Sequence, residues 1–459
     1  MNIAKAVGAS LIALMSMCPL DGRADPGGLS VVYPTGLYPY DVTIVQAALD
    51  RGGTVLLKAV NVAGIPTPFN FGTGVGVGQS SGVFLNSDVS IRGERVGSSQ
   101  TTILGGFLPI QGLLPVKSAI QGIDFENSIW CAICIGASTG SMVTDNTFRN
   151  IVRVKVRVPS GRIITFAEAI GFSGYDSSGP APDLITGHVI VARNTIDGAR
   201  ALFSDGIQFD SFSADAEISG NTITNVNDDT TETGDGIIVI RAGGHVTIAG
   251  NAIAPGPTQN FGAGGIFIGG NRTARYLVTG NTIQVVSTYP DGIDVTGGDA
   301  TGTTGTVEAI VVANSVRVNG TFSFGIFLWD LVTTTKVAAN SIEGAGMFAM
   351  GISTYGFNTN VASLNSFLGN DLSNFAANQA DLFYDANAQS NREIGFCRSV
   401  IDLGFGNSST CGTAGASVAT ATAVTSASAS AQSQAVAAKG QQLQLRQTIG
   451  RIAPEQVLR

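Results

Sequence analysis

The sequence predicts an all-β fold: a single stack of coils, a parallel β-helix, with a short helix at its N-terminal end. The first sign is a returning Asn followed by a small and then an apolar residue. It appears at Asn146, Asn194, Asn221, Asn251, Asn281, Asn314, Asn340 and Asn365, in steps of 27, 30, 30, 33, 26 and 25 residues from Asn194 onward. The second is a Gly-Ile pair between these marks, at Gly206, Gly236, Gly265, Gly292, Gly325 and Gly351, advancing by a similarly variable step. The third is an apolar period of two in β-branched runs such as Gly236-Ile237-Ile238-Val239-Ile240 and His245-Val246-Thr247-Ile248, which marks short strands. Three such strands per turn, stacked at about 4.8 Å, make a parallel β-helix.

The Asn has a physical task at a tight bend. It tolerates a left-handed backbone, and its amide can bond the Asn of the coils above and below. Asn194, Asn221, Asn251 and Asn281 are therefore expected to form one ladder. The longer step from Asn146 to Asn194 implies an irregular coil or an insertion near residues 152–185.

Composition agrees. The chain has 459 residues, of which 60 are Gly, 44 % are apolar and 13 % are charged. That is too apolar for a disordered chain, and the Gly content has no three-residue period, which excludes collagen. Asp and Glu (33) outnumber Lys and Arg (25), giving a net charge of −8 and arguing against a nucleic-acid partner. Two His argue against a zinc enzyme with several His ligands.

At the N-terminus, Lys5 precedes a mostly apolar run from Ala6 to Met17, and small residues at Gly22 and Ala24 fit a cleavage site. Residues 1–24 read as a signal peptide, too short to span a bilayer. The protein is expected to be secreted or periplasmic, with no membrane span in residues 25–459. The next element, Asp41 to Arg51, is apolar at Val42, Val45, Ala48 and Leu49 and reads as an amphipathic capping helix. The strand Gly53-Thr54-Val55-Leu56-Leu57 follows it. The β-helix domain extends over 25–412, and 413–459 is an Ala/Ser/Thr/Gln-rich tail expected to be disordered or partly helical.

An exported chain can form disulfides. Cys397 and Cys411 stand in a loop-like stretch and are expected to be bridged. Cys131 and Cys134 lie in an apolar strand, where an odd separation puts them on opposite faces, so they read as two separate thiols.

Two stretches resemble a known superfamily, the right-handed parallel β-helix proteins of pectate-lyase-like fold, over roughly residues 38–400. One is the helix followed by Gly-Gly-Thr-Val-Leu-Leu. The other is Asp235-Gly236-Ile237-Ile238-Val239-Ile240-Arg241, continuing to Val246-Thr247-Ile248-Ala249-Gly250-Asn251. It is similar to the Asp-Gly-x-x-Asp-Ile-Lys…Val-Thr-Ile-x-x-Asn stretch of pectate lyases. The second Asp of that pattern, which helps hold calcium in the family, is Val239 here, so the motif does not support calcium and no cofactor is expected. The resemblance implies action on a polysaccharide, with the strand that begins Gly-Ile lining the cleft. Superfamily members include lyases, hydrolases and epimerases, and also adhesins and tailspikes without such activity.

Parity along that strand then sorts the candidate residues. Outward positions include Asp210, Phe267, Asp294, Phe327, Trp329 and Tyr355, an aromatic and acidic surface suited to sugar rings. Asp205 and Asp235 each stand one place before the Gly, on neighbouring coils about 5 Å apart. Paired carboxyls can supply a proton donor beside an ionised partner, as glycoside hydrolysis requires. Arg241 is expected close enough to grip a uronic-acid carboxylate or serve as a base. Catalysis is therefore assigned to Asp205, Asp235 and Arg241, and substrate binding to the six outward residues. His188 and His245 read as structural. The sequence leaves open which polysaccharide is handled, and a non-catalytic adhesin or scaffold is the rival reading.

Overall fold

The computed structural model describes residues 28–410, apart from 75–77, 158–162, 177–178, 202, 227–233, 257–262, 270–273, 298–306, 347–348, 357–360, 376–379 and 396–397. The expected signal peptide, the expected tail and the expected Cys397–Cys411 bridge lie outside the described residues.

The coils build three parallel sheets, the second of which ends before the other two. The first sheet runs from Leu29–Val32 through His245–Ala249 to Arg392–Ile394. The second runs from Phe69–Asn70 to Ser341–Ala345, and the third from Val83–Phe84 through Gly234–Ala242 to Val400–Asp402. Inward positions stack like on like. Ile196, Ile223, Ile253, Ile283, Val316 and Ile342 form one buried file on the second sheet. The third sheet answers with Ile207, Ile237, Ile266, Ile293, Ile326 and Ile352.

The Gly before each of these Ile is forced by that packing. A Cβ on Gly236 would stand 2.2 Å from Ile253 Cγ2 of the second sheet, and one on Gly292 would stand 2.2 Å from Val316 Cγ1. Gly and Ile are thus both inward, and the strand shifts phase by one residue at this point. Residues three apart across the Gly, such as Asp205 and Gln208, fall on the same outer face.

The asparagines form a continuous ladder through Asn146, Asn194, Asn221, Asn251, Asn281, Asn314, Asn340 and Asn370. At each rung the backbone N–H and the side-chain amide donate to the next Oδ1. For Asn221 both bonds to Asn251 are 2.9 Å, and Nδ2 also donates to Val191 O. Two expectations change. The left-handed residue is the one before each Asn: Asp145, Arg193, Gly220, Gly250, Gly280, Ala313, Ala339 and Gly369 have φ between +52° and +63°. The Asn itself is the hydrogen-bonding rung. Asn365 belongs to a second ladder at another bend, with Asn391 and Asn407, and Asn370 takes its place in the first.

The long step to Asn194 is an insertion within one coil, because Thr147 still pairs with Thr195. The added residues form an antiparallel excursion, Val154–Arg157 against Ile163–Ser173, and a small hairpin pairing Tyr175 with Pro180. At the N-terminal end, helix α1 (Tyr40–Leu49) buries Val45, Ala48 and Leu49 against the first coils. Asp41 is fully buried and accepts bonds from Thr35 N, Thr35 Oγ1, Gly36 N and Asn70 N, at 2.7–2.9 Å.

The ladder predicts a sharp contrast between neighbours. Asn251→Ala strips partners from Asn221 N, Asn221 Nδ2, Ile218 O and Asn281 Oδ1, and is expected to cost about 3–5 kcal/mol. Gly250→Ala meets nothing within 4 Å and is expected to cost only about 1 kcal/mol, for the left-handed backbone alone. Denaturant titration of both variants measures the difference.

Candidate functional site

The outer face of the third sheet is a grid, with coils as rows and outward positions as columns. The first column reads Cys131, Glu168, Asp205, Asp235, Gly264, Asp291, Phe324, Met350. The second reads Cys134, Gly171, Gln208, Ile238, Phe267, Asp294, Phe327, Ser353. In the third, Ser173, Asp210, Ile240 and Gly269 are followed farther along by Thr296, Trp329 and Tyr355.

Asp205 and Asp235 are direct partners on neighbouring coils, as their register implied. Glu168, on the coil before, extends them to three adjacent carboxylates. It escaped sequence reasoning because its coil carries Ala169 where later coils carry the Gly. The register of Glu168-Ala169-Ile170 against Asp205-Gly206-Ile207 was the signal available. All three lie under cover: Asp205 and Asp235 are 1 % exposed and Glu168 is 9 %.

Arg241 is not with them. It lies six residues beyond Asp235 on the same strand, roughly 20 Å along it at 3.3 Å per residue, so one sugar ring cannot touch both. It is buried and committed to Asp210 in a salt bridge, with its Nε donating to Ser211 Oγ at 2.9 Å. Tyr175 O–H donates to Asp210 Oδ2 at 2.9 Å, and the guanidinium stands 5.6 Å from the Tyr175 ring centroid. Burial, with the Asp210 charge next in importance, raises the Tyr175 phenol well above its usual range, so it stays a protonated donor. Asp210 is therefore a structural counter-ion in this structure rather than a presented substrate ligand.

The aromatic residues do share the outer face, but they are not exposed. Phe267, Phe327 and Trp329 pack with Ile238, Ile240, Phe324, Met350 and Phe383 into a second apolar cluster, and Tyr355 is half-buried at its rim. Trp329 Nε1 donates to Asp294, which is fully buried. His188 and His245 are exposed at the starts of first-sheet strands, and His245 N donates to Asp215 at 2.8 Å. Arg275 pairs with Glu308 at 3.3 Å on that same sheet. Cys131 and Cys134 are not separate thiols: the phase shift at Ala132 turns both outward, and they are disulfide-bonded.

The topology is that of a parallel β-helix. No family model matches the chain, and no curated protein matches its sequence. Among solved structures it is similar to the A-module of the mannuronan C-5 epimerase AlgE6 of Azotobacter vinelandii, at 15 % identity and a TM-score of 0.45 over 84 % of this chain and 97 % of that one. It is also similar to the Dettilon tailspike protein, at 13 % identity and a TM-score of 0.47 over 82 % and 68 % of the two chains. A third similar structure is the tailspike of E. coli bacteriophage HK620 in complex with a hexasaccharide, at 15 % identity and a TM-score of 0.43 over 84 % and 78 %.

Two predictions arise from this face. Asp210→Ala leaves the Arg241 cation buried without its counter-ion and is expected to cost about 3–5 kcal/mol, most of it restored by Arg241→Met in the same chain. Chemical denaturation of the single and double variants tests this. At the far end of the face, burial raises Asp385 to about 6 from the ordinary 3.8, against backbone N–H bonds from Gly356 and Asn387 that lower it. The folded chain holds this proton more tightly than the unfolded one, so stability falls as pH rises from 3.8 to about 6, by on the order of 3 kcal/mol. Subtracting the pH profile of Asp385→Asn from that of the parent isolates this contribution.

Proposed function

We propose that this is an exported β-helix protein that binds a polysaccharide on the outer face of its third sheet and cleaves or modifies it there. The observation that carries this reading is the file of three adjacent carboxylates, Glu168, Asp205 and Asp235. Neighbouring coils place backbones about 4.8 Å apart, close to the carboxyl separation of about 5–5.5 Å that retaining glycoside hydrolysis uses. Asp205 and Asp235 take the roles of acid and partner. Arg241 acts at a distance, holding Asp210 and the strand end in place. The apolar cluster from Phe267 to Trp329 gives the same face a surface suited to sugar rings. Likeness to an epimerase of mannuronan and to tailspikes, one of them in complex with an oligosaccharide, is in keeping with this reading.

Burial of the carboxylates and aromatics favours a second reading, a non-catalytic adhesin or scaffold whose outer face is a second core. Catalysis at Asp205 and Asp235 requires that face to open to substrate.

The deciding experiment incubates the purified protein with a panel of acidic and neutral polysaccharides, following unsaturated products by ultraviolet absorbance and chain cleavage by reducing ends. Asp235→Asn keeps the shape of the side chain, and it is expected to abolish turnover while leaving the melting temperature within a few degrees of the parent. Activity surviving in Asp235→Asn removes this residue from the mechanism. No product from any polysaccharide leaves the scaffold reading.

A further inference from the structure

The phase shift in the third sheet decides where its first cysteines point. On strand Cys131–Ile135, Ala132 takes the position held by Gly206 and Gly236 on later coils, and it is fully buried. Both sulfurs therefore face outward, on Cα atoms 6.0 Å apart. On the next coil Glu168 pairs with Cys131 and Gly171 with Cys134.

The two sulfurs and a Glu168 carboxylate oxygen all lie within 4.8 Å of one another. Gly171 places no side chain of its own between them. A Cβ there would stand 2.9 Å from Glu168 Oε2, 3.5 Å from Cys131 Sγ and 3.6 Å from Cys134 Sγ. Among the described residues, no other group of three Cys, His or carboxylate side chains converges closely enough to share an ion. Phe107, Ile129, Trp130, Phe166 and Phe203 wall the site on its apolar side, while Cys134 is only half-buried and gives access.

We propose that Cys131 and Cys134, once reduced, form with Glu168 a binding site for a divalent cation of the zinc class, seated over Gly171. A dithiol supplies two electrons and two protons to the disulfide; the S–S bond breaks, two thiols form, and the dithiol closes to its own disulfide. The cation then displaces both thiol protons and is held by two thiolates at about 2.3 Å and a carboxylate oxygen at about 2.0–2.2 Å. Water fills the fourth position on the Cys134 side. Two thiolates select zinc over calcium or magnesium, which take oxygen ligands. The oxidised and metal-bound forms exclude each other, because bonded sulfurs carry no thiolate charge. None of this depends on catalysis at Asp205 and Asp235.

The test uses the full chain with Cys18, Cys397 and Cys411 replaced by Ser. After reduction with a phosphine, it is titrated with Co²⁺ and then Zn²⁺. The expected result is one cobalt per chain, with thiolate-to-cobalt charge-transfer absorption that zinc abolishes, and no binding by the unreduced protein. Glu168→Gln, which keeps the side-chain shape, and Gly171→Ala, which fills the cradle, are each expected to weaken binding by at least about tenfold. Absence of the absorption after reduction overturns the proposal. So does unchanged affinity in Glu168→Gln, or undiminished binding when Cys131 is replaced by Ser.

Discussion

The asparagine ladder is the constraint on which the rest of the fold depends. A solenoid turns its backbone sharply in every coil, and each turn leaves amide groups that the sheets cannot satisfy. Here every rung joins three chain segments: Asn251 accepts from Asn221 and donates to both Asn281 and Ile218 O. The bonds are buried and linked in a file, so each coil takes its register from the one before. That register aligns the isoleucines of the second and third sheets into continuous files, and it brings Glu168, Asp205 and Asp235 to one level on successive coils.

A second constraint acts across the core. The Ile files of the second sheet leave no space for a side chain at the third-sheet Gly, and the strand answers by turning two consecutive residues inward. This phase shift is the reason part of the site could not be read from the sequence. Simple alternation puts residues an odd number apart on opposite faces, which holds for Ile207 and Gln208 but fails across the Gly. Cys131 and Cys134 were assigned to opposite faces for that reason, yet they share one. The repeat period, the ladder from Asn194 to Asn281 and the pairing of Asp205 with Asp235 were legible, because each rests on residue identity recurring at a coil's length. The partners of Arg241 were not, because Tyr175 enters from an insertion that carries no repeat.

The outer face of the third sheet changes character along the axis while its backbone stays nearly constant. Its early coils carry Cys131, Glu168, Asp205 and Gln208, and its later coils Phe267, Phe324, Phe327 and Trp329. Both zones are buried, so they obey different rules. The aromatic zone packs as a second core. In the polar zone, buried carboxylates are costly unless paired, and the Asp210–Arg241 pair shows how the fold meets that cost at one strand end.

The opposite strand end has a different composition. Asp205 and Asp235 are adjacent, no Arg or Lys occupies either neighbouring position in their column, and Glu168 adds a third acid rather than a cation. A few coils on, the same column carries Gly264, Asp291, Phe324 and Met350. Three acids in file on successive coils are the feature on which the proposed function rests. Gly171 beside them admits no side chain, because a Cβ there would stand 2.9 Å from Glu168 Oε2. The proposed chemistry thus falls on the early coils of the third sheet, while the aromatic coils pack beside them as a second core.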